Sequence, residues 1–276
     1  MPFDDDAINT MITVGKPIVF PTRSFGSDAP PPDPGLLAEW VRTRRGQPAD
    51  LVSYFLEEGL VPQLDAGVTF PCAGGRFYRQ RWLDALTGIE DSVITAEPGC
   101  DATQLVADAV DLGRIRKNLR VAIPAPHVLA LKDQYFKDSD EADHSLSTVY
   151  GDMMRAMRDA GIAGHVVCGD RAVPDELDAL AGKKVFFFSR DQTARSLSSL
   201  LEHQAAVAVR PSALPTLEDL MGEYDVRTII LLDPGELDLR QALTIKDQDQ
   251  LICGGYCRES CDRYWRDLVE KAMIRR

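Results

Sequence analysis

KVFFFS (Lys184–Ser189), AVAVR (Ala206–Arg210) and RTIILLD (Arg227–Asp233) decide the fold. Each is a near-continuous run of apolar, largely β-branched or aromatic residues. Strands covered on both faces read this way, and they belong to parallel sheets packed under helices. Between them, Gln192–Glu202 and Leu217–Tyr224 carry apolar residues at helical spacing. Working outward, LRVAIPAP (Leu119–Pro126) and GHVVC (Gly164–Cys168) keep the same rhythm, with helical stretches over Ser145–Ala160 and Asp175–Ala181, and QLIC (Gln250–Cys253) ends the series. Toward the N-terminus, Pro17–Pro21 and Val68–Phe70 read as the first two strands, with helices through Leu36, Leu37, Trp40 and Val41, over Asp50–Leu64 and over Arg76–Leu86. Ser92–Ala96 reads as an accessory strand and Asp101–Leu112 as a helix. Strands alternating with helices in this number predict an α/β protein, a single-domain (β/α)₈ TIM barrel over residues 1–276, with a poorly ordered tail over residues 1–15.

At 276 residues the chain suits one such barrel, and 45% hydrophobic with 27% charged residues suits a large soluble core. A net charge of −12 argues against nucleic acid as a partner, because phosphate backbones are bound by concentrated basic faces. No apolar run approaches the ~18 residues of a membrane span, so no membrane partner is expected. The chain opens on Asp4-Asp5-Asp6 rather than a basic region and an apolar stretch, which predicts a cytoplasmic protein. In that setting six cysteines read as thiols or ligands rather than a disulfide frame.

In such barrels the active site lies at the carboxyl ends of the strands. The strand ends put Arg23, Ser24, Cys72, His127, Cys168, Asp170, Ser189, Arg190, Arg210, Asp233 and Cys253 on that rim. In DQLICGGYCRESC (Asp249–Cys261), Gly254-Gly255 reads as a tight turn after the last strand, and Cys257 and Cys261, four apart, share a face if the final helix already begins near Cys257. Cys168, Cys253, Cys257 and Cys261 are therefore a candidate set for zinc or an iron–sulfur cluster, or for a reactive thiolate. Each also fits as a small buried apolar residue, and the C-x₃-C-x₃-C spacing does not choose. Asp170 and His127 are candidate catalytic groups. Arg23, Ser24, Arg76, Arg79, Arg210 and Asp233 are candidates for holding a small-molecule substrate: the planar fork of Arg210 suits a carboxylate or phosphate, and Gly74-Gly75 ahead of Arg76 and Arg79 suits an anion at a helix start. The plainer alternative for Arg210 is an ion pair with Asp170 or Asp233.

The order of elements resembles the catalytic barrel of the cobalamin-independent methionine synthase family. Pro21–Ser27 looks like that family's opening strand and substrate loop, and Leu64–Glu90 like its segment leading from a strand through a glycine turn and an arginine into a helix. Met157–Asp170 is similar to its strand ending in Asp-Glu-Pro, and LICGGYC to its final Asp-Cys-Gly strand. The resemblance implies a methyl- or alkyltransferase barrel whose zinc is held by a His-x-Cys pair, a glutamate and a last-strand cysteine. These positions fall here on Phe186, Phe188, Arg210 and Cys253, and the homocysteine-binding Asp-Glu-Pro on Cys168-Gly169-Asp170. Three expectations follow: a methyl- or alkyltransferase with a metal site rebuilt from cysteines, a metal-free decarboxylase-type barrel clamping an acidic substrate with arginines, or a non-catalytic protein that binds a corrinoid protein or a catalytic homologue.

Overall fold

The computed structural model describes residues 16–44 and 49–275, so the tail expected over residues 1–15 lies outside the described residues. Eight parallel strands follow the chain in order: β1 (Thr22–Ser27), β2 (Cys72–Ala73), β3 (Arg120–Pro124), β4 (Gly164–Gly169), β5 (Val185–Ser189), β6 (Ala206–Val209), β7 (Thr228–Leu232) and β8 (Leu251–Cys257). They hydrogen-bond as two four-stranded sheets, β6-β7-β8-β1 and β2-β3-β4-β5. The sheets meet at two seams, which close the barrel.

Side-chain amides work at both seams. Between β1 and β2, Arg23 bridges to Phe70, and Gln63 receives the Cys72 N–H at 2.9 Å while donating to the Cys72 carbonyl at 2.9 Å. Between β5 and β6, Gln204 does the same for Phe187, accepting its N–H at 2.8 Å and donating to its carbonyl at 3.0 Å. Each glutamine, Gln63 buried and Gln204 half-buried, thus supplies the donor and acceptor that a neighbouring strand would have offered.

Alternation along the strands separates two cores. Phe25, Cys72, Ala122, Val166, Phe186, Ala208, Ile230 and Leu232 point into the barrel. Their neighbours point outward onto the helices, around Trp82, Tyr150 and Met153 on one side and around Trp265 and Leu268 on the other. An accessory sheet of Leu86–Glu90, Val93–Cys100 and Lys132–Asp133 covers a flank.

The strands from Arg120 onward lie where their apolar runs place them, but the first two do not. Ile18–Val19, inside the run expected as strand one, pairs antiparallel with Met273–Ile274, and the barrel strand begins at Thr22. Prolines at 17 and 21 withhold backbone donors from that run, which explains why the ladder starts after it. The second strand is Cys72–Ala73 rather than Val68–Phe70. The helix Pro34–Thr43, capped by Asp33 as expected, buries none of its residues, and Leu36 is 60% exposed. At the other end Gly254-Gly255 is no turn: β8 runs through it to Cys257, and the last helix starts only at Cys261. A side chain at Gly254 would meet Ile230 at 2.6 Å and Phe25 at 2.8 Å, so glycine is required by the packed interior.

Candidate active site

At the carboxyl ends of the strands a cavity of about 960 Å³ opens. Its floor is Cys168, Phe188 and Tyr256, and its wall runs from Arg76 and Arg79 through Asp170, Arg190 and Arg210 to Asp233, Arg258, Glu259 and Tyr264. Beneath the floor, Phe25 packs on Phe186 and Phe188 with ring centroids 5.6 and 4.9 Å away, so aromatic rings fill the centre of the barrel.

The arginines of the wall differ in how they are held. Arg76 donates from its backbone N–H and its Nε to Asp28, at 2.9 and 2.5 Å, and its N–H also reaches the Tyr256 hydroxyl at 3.0 Å. Arg79 donates to the carbonyls of Val128 and Leu129, at 3.1 and 2.6 Å. The guanidiniums of Arg190, Arg210 and Arg258 have no hydrogen bond or ion pair to another described residue. Three guanidiniums that make no direct hydrogen bond or ion pair, although the Arg258 charge acts on Asp233, surround one cavity and form a receptor for a negatively charged ligand. The ion pair expected as the plainer role of Arg210, with Asp170 or Asp233, is not made.

Two acid pairs share the rim. His127 follows β3 and is clamped on both ring nitrogens, with Nδ1 2.8 Å from Glu176 and Nε2 2.7 Å from Asp170, while Glu176 also accepts the His127 backbone N–H at 2.6 Å. Burial opposes a charge on the ring, but the Glu176 hydrogen bond and charge, joined by Asp170, outweigh it and raise the pKa. With both nitrogens engaged, His127 positions Asp170 rather than acting as a free base. The second pair is Asp233, just past β7 at φ 49°, which accepts the Tyr264 hydroxyl. Desolvation raises the Asp233 pKa, partly offset by Tyr264, Arg258 and Lys271. Burial also raises Tyr264, with the Asp233 charge adding to it. This pair depends on Gly255, where a Cβ would lie 2.1 Å from the Tyr264 hydroxyl.

Of the expected site residues, the structure brings Asp170, His127, Arg76, Arg79, Arg210, Asp233 and Cys168 to the mouth or its edge. It moves Arg23, Ser24 and Cys72 away. Because β1 begins at Thr22, Arg23 sits inside the strand near its amino end, stacked 4.7 Å over the Phe186 ring. Ser24 faces the other way and accepts the Gly26 N–H at 3.0 Å. Cys72 pairs with Arg120 at the start of β3.

The cysteine set does not assemble. Cys168 points into the barrel, whereas Cys253, Cys257 and Cys261 lie in the outer core beside Trp265. Burial pushes the Cys253 thiol up to about 12 and raises Cys168 as well, and a protonated thiol is a poor ligand. Cys257 and Cys261 do touch, Sγ to Sγ 2.8 Å, although Cys257 ends the strand instead of sharing a helix face. Among the described residues no group of three or more His, Cys, Asp or Glu side chains is placed to hold a metal ion. Phe186 and Phe188 offer no ligand atom, Arg210 is a cation, and Cys253 is turned out of the barrel. The residues present therefore fit neither the zinc implied by the family resemblance nor an iron–sulfur cluster.

Glu176, Arg258, Tyr256 and Tyr264 escaped the sequence reading. Glu176 sits in the first turn of the helix Pro174–Leu180, where an acid is ordinarily explained by the helix dipole. Tyr264 lies in a strongly amphipathic helix, where an aromatic side chain reads as core.

The fold has solved counterparts. A Listeria monocytogenes protein described as a vitamin-B12-independent methionine synthase superposes with a TM-score of 0.61 at 15% identity, over 92% of this chain and 95% of that one. This chain has the fold of that barrel. A B12-independent methionine synthase from a Shewanella species, solved with selenomethionine, matches with a TM-score of 0.55 at 15% identity, over 87% and 91% of the two chains. No protein-family model and no curated protein matches the sequence. No helix among the described residues is long and apolar enough to cross a membrane.

Proposed function

We propose that the chain is an enzyme that binds an anionic small molecule at the barrel mouth, Arg190, Arg210 and Arg258 holding its carboxylate groups and the Asp233–Tyr264 pair moving a proton at its reacting atom. The observation that carries this reading is the three guanidiniums facing one cavity with no direct hydrogen bond or ion pair to a described residue, beside two acid pairs. Burial raises the Asp233 pKa above the usual carboxylate value, which favours its taking up a proton, and Tyr264 fixes its orientation. Asp170, held by His127, faces the ligand from the opposite rim. The arginines supply preorganised positive charge where negative charge is held or develops.

A second reading, methyl or alkyl transfer, is favoured by the fold shared with two proteins described as methionine synthases. In it the arginines hold a carboxylate-bearing acceptor and Asp233 takes the proton of the acceptor's nucleophile. The donor set at the mouth does not fit zinc.

The test is a melting experiment on chelator-treated protein. Citrate is expected to raise Tm at constant ionic strength, and Arg210→Gln or Arg190→Gln to remove the rise. An equal rise in both variants would place the anion elsewhere and refute the reading.

A further inference from the structure

The opposite end of the barrel carries a second concentration of positive charge that the mouth does not use. A cavity of about 730 Å³ opens among the segments that precede β2 and β3, and its lining includes Arg23, Arg114, Arg116, Lys117 and Arg120 but no Asp or Glu. Its two innermost cations come from distant parts of the chain. Arg23 stands inside the barrel on β1, stacked on Phe186, and has no carboxylate partner among the described residues. Arg120, the first residue of β3, makes a single long hydrogen bond to the Lys184 carbonyl, 3.4 Å. Arg114 alone has a counter-ion, Asp111 at 2.5 Å.

An acid-free cluster of this kind is unexpected in a chain of net charge −12. Burial, and after it the nearby Arg120, lower the Arg23 pKa to about 10, which measures how poorly the protein itself supports the charge there. A multiply charged anion between the two guanidiniums screens their repulsion and offsets the cost of burial by direct attraction, and their planar forks match phosphate oxygens. Phe70, 47% exposed on the same wall, offers an apolar face to the remainder of such a ligand. Arg23 is largely buried at the lining of this cavity, which suits a small molecule better than a polymer.

We propose that the amino-terminal end of the barrel is a second ligand site, separate from the mouth, for a small molecule carrying a phosphate or pyrophosphate group. Arg23 and Arg120 form its base, and Arg116 and Lys117 form its rim. The site does not depend on the reading of the mouth given above.

Calorimetric titration of the purified full-length protein with inorganic pyrophosphate, at fixed ionic strength, tests it. With the mouth saturated by citrate, one pyrophosphate site is expected in the wild type and in Arg210→Gln, with affinity falling about tenfold or more in Arg120→Gln. If Arg120→Gln fails to fold by circular dichroism, the exposed double variant Arg116→Gln/Lys117→Gln asks the same question and is expected to weaken binding. Absence of binding in the wild type, unchanged affinity in Arg120→Gln or, where that variant does not fold, in Arg116→Gln/Lys117→Gln, or loss in Arg210→Gln instead would overturn the proposal.

Discussion

At the carboxyl end of the strands, Arg190, Arg210 and Arg258 share a cavity with Asp170, Asp233, Glu259 and two tyrosines; at the amino end, Arg23 and Arg120 share one with no acid at all. The same side chain therefore serves two different environments. Where guanidiniums stand beside carboxylates, one of them Asp233 with its pKa raised by burial, charge recognition and proton transfer can be combined. Where they stand only beside each other, an anion can be bound but nothing nearby can move a proton. A plug of Phe25, Phe186 and Phe188 keeps the two cavities apart.

That plug is the place to break the contrast. Phe186→Ala removes a buried ring that packs on Phe25 and carries the Arg23 guanidinium, and it is expected to cost about 3–5 kcal/mol in urea denaturation. A cost near zero would mean that the barrel centre is not packed as described. Gly255→Ala addresses the mouth alone. Its Cβ would overlap the Tyr264 hydroxyl, so a loss of about 1–3 kcal/mol and weaker citrate binding are expected, with pyrophosphate binding at the other end unchanged.

His127→Gln sharpens the picture of the acid rim, with the smallest expected effect. The folded-state pKa of His127 is raised, so its stabilising contribution is complete below the free-imidazole value of ~6.5 and disappears as pH rises through the folded value. The Tm gap between wild type and His127→Gln is therefore expected to be widest near pH 6 and to narrow on going alkaline. A gap that widens with pH would show that the doubly clamped ring is neutral.

Much of the barrel was legible because β3 to β8 are buried on both faces and write their burial as continuous apolar runs. The two N-terminal strands were misplaced for a physical reason. β1 carries Thr22, Arg23, Ser24 and Gly26, polar residues satisfied by local bonds and by stacking, while the apolar run before it is an edge segment between prolines. That error alone sent Arg23, Ser24 and Cys72 to the wrong end of the barrel. At the mouth, residues on strand ends could be read from order in the chain, as Asp170, Arg210 and Asp233 were. Partners arriving from helices could not, because Glu176 and Tyr264 look like a first-turn acid and a core aromatic until the fold brings them against His127 and Asp233. The cysteines show the opposite failure: proximity in sequence and at strand ends implied convergence, but strand parity sends Cys168 inward and Cys253 outward.

The most direct test of the central claim, that the mouth recognises an anion through arginines rather than through a metal, is calorimetric titration of chelator-treated protein with citrate, repeated with one equivalent of Zn²⁺. Equal affinity in both conditions, lost in Arg210→Gln, is the predicted result. Binding that appears only with zinc, or that survives intact in Arg210→Gln, would contradict it.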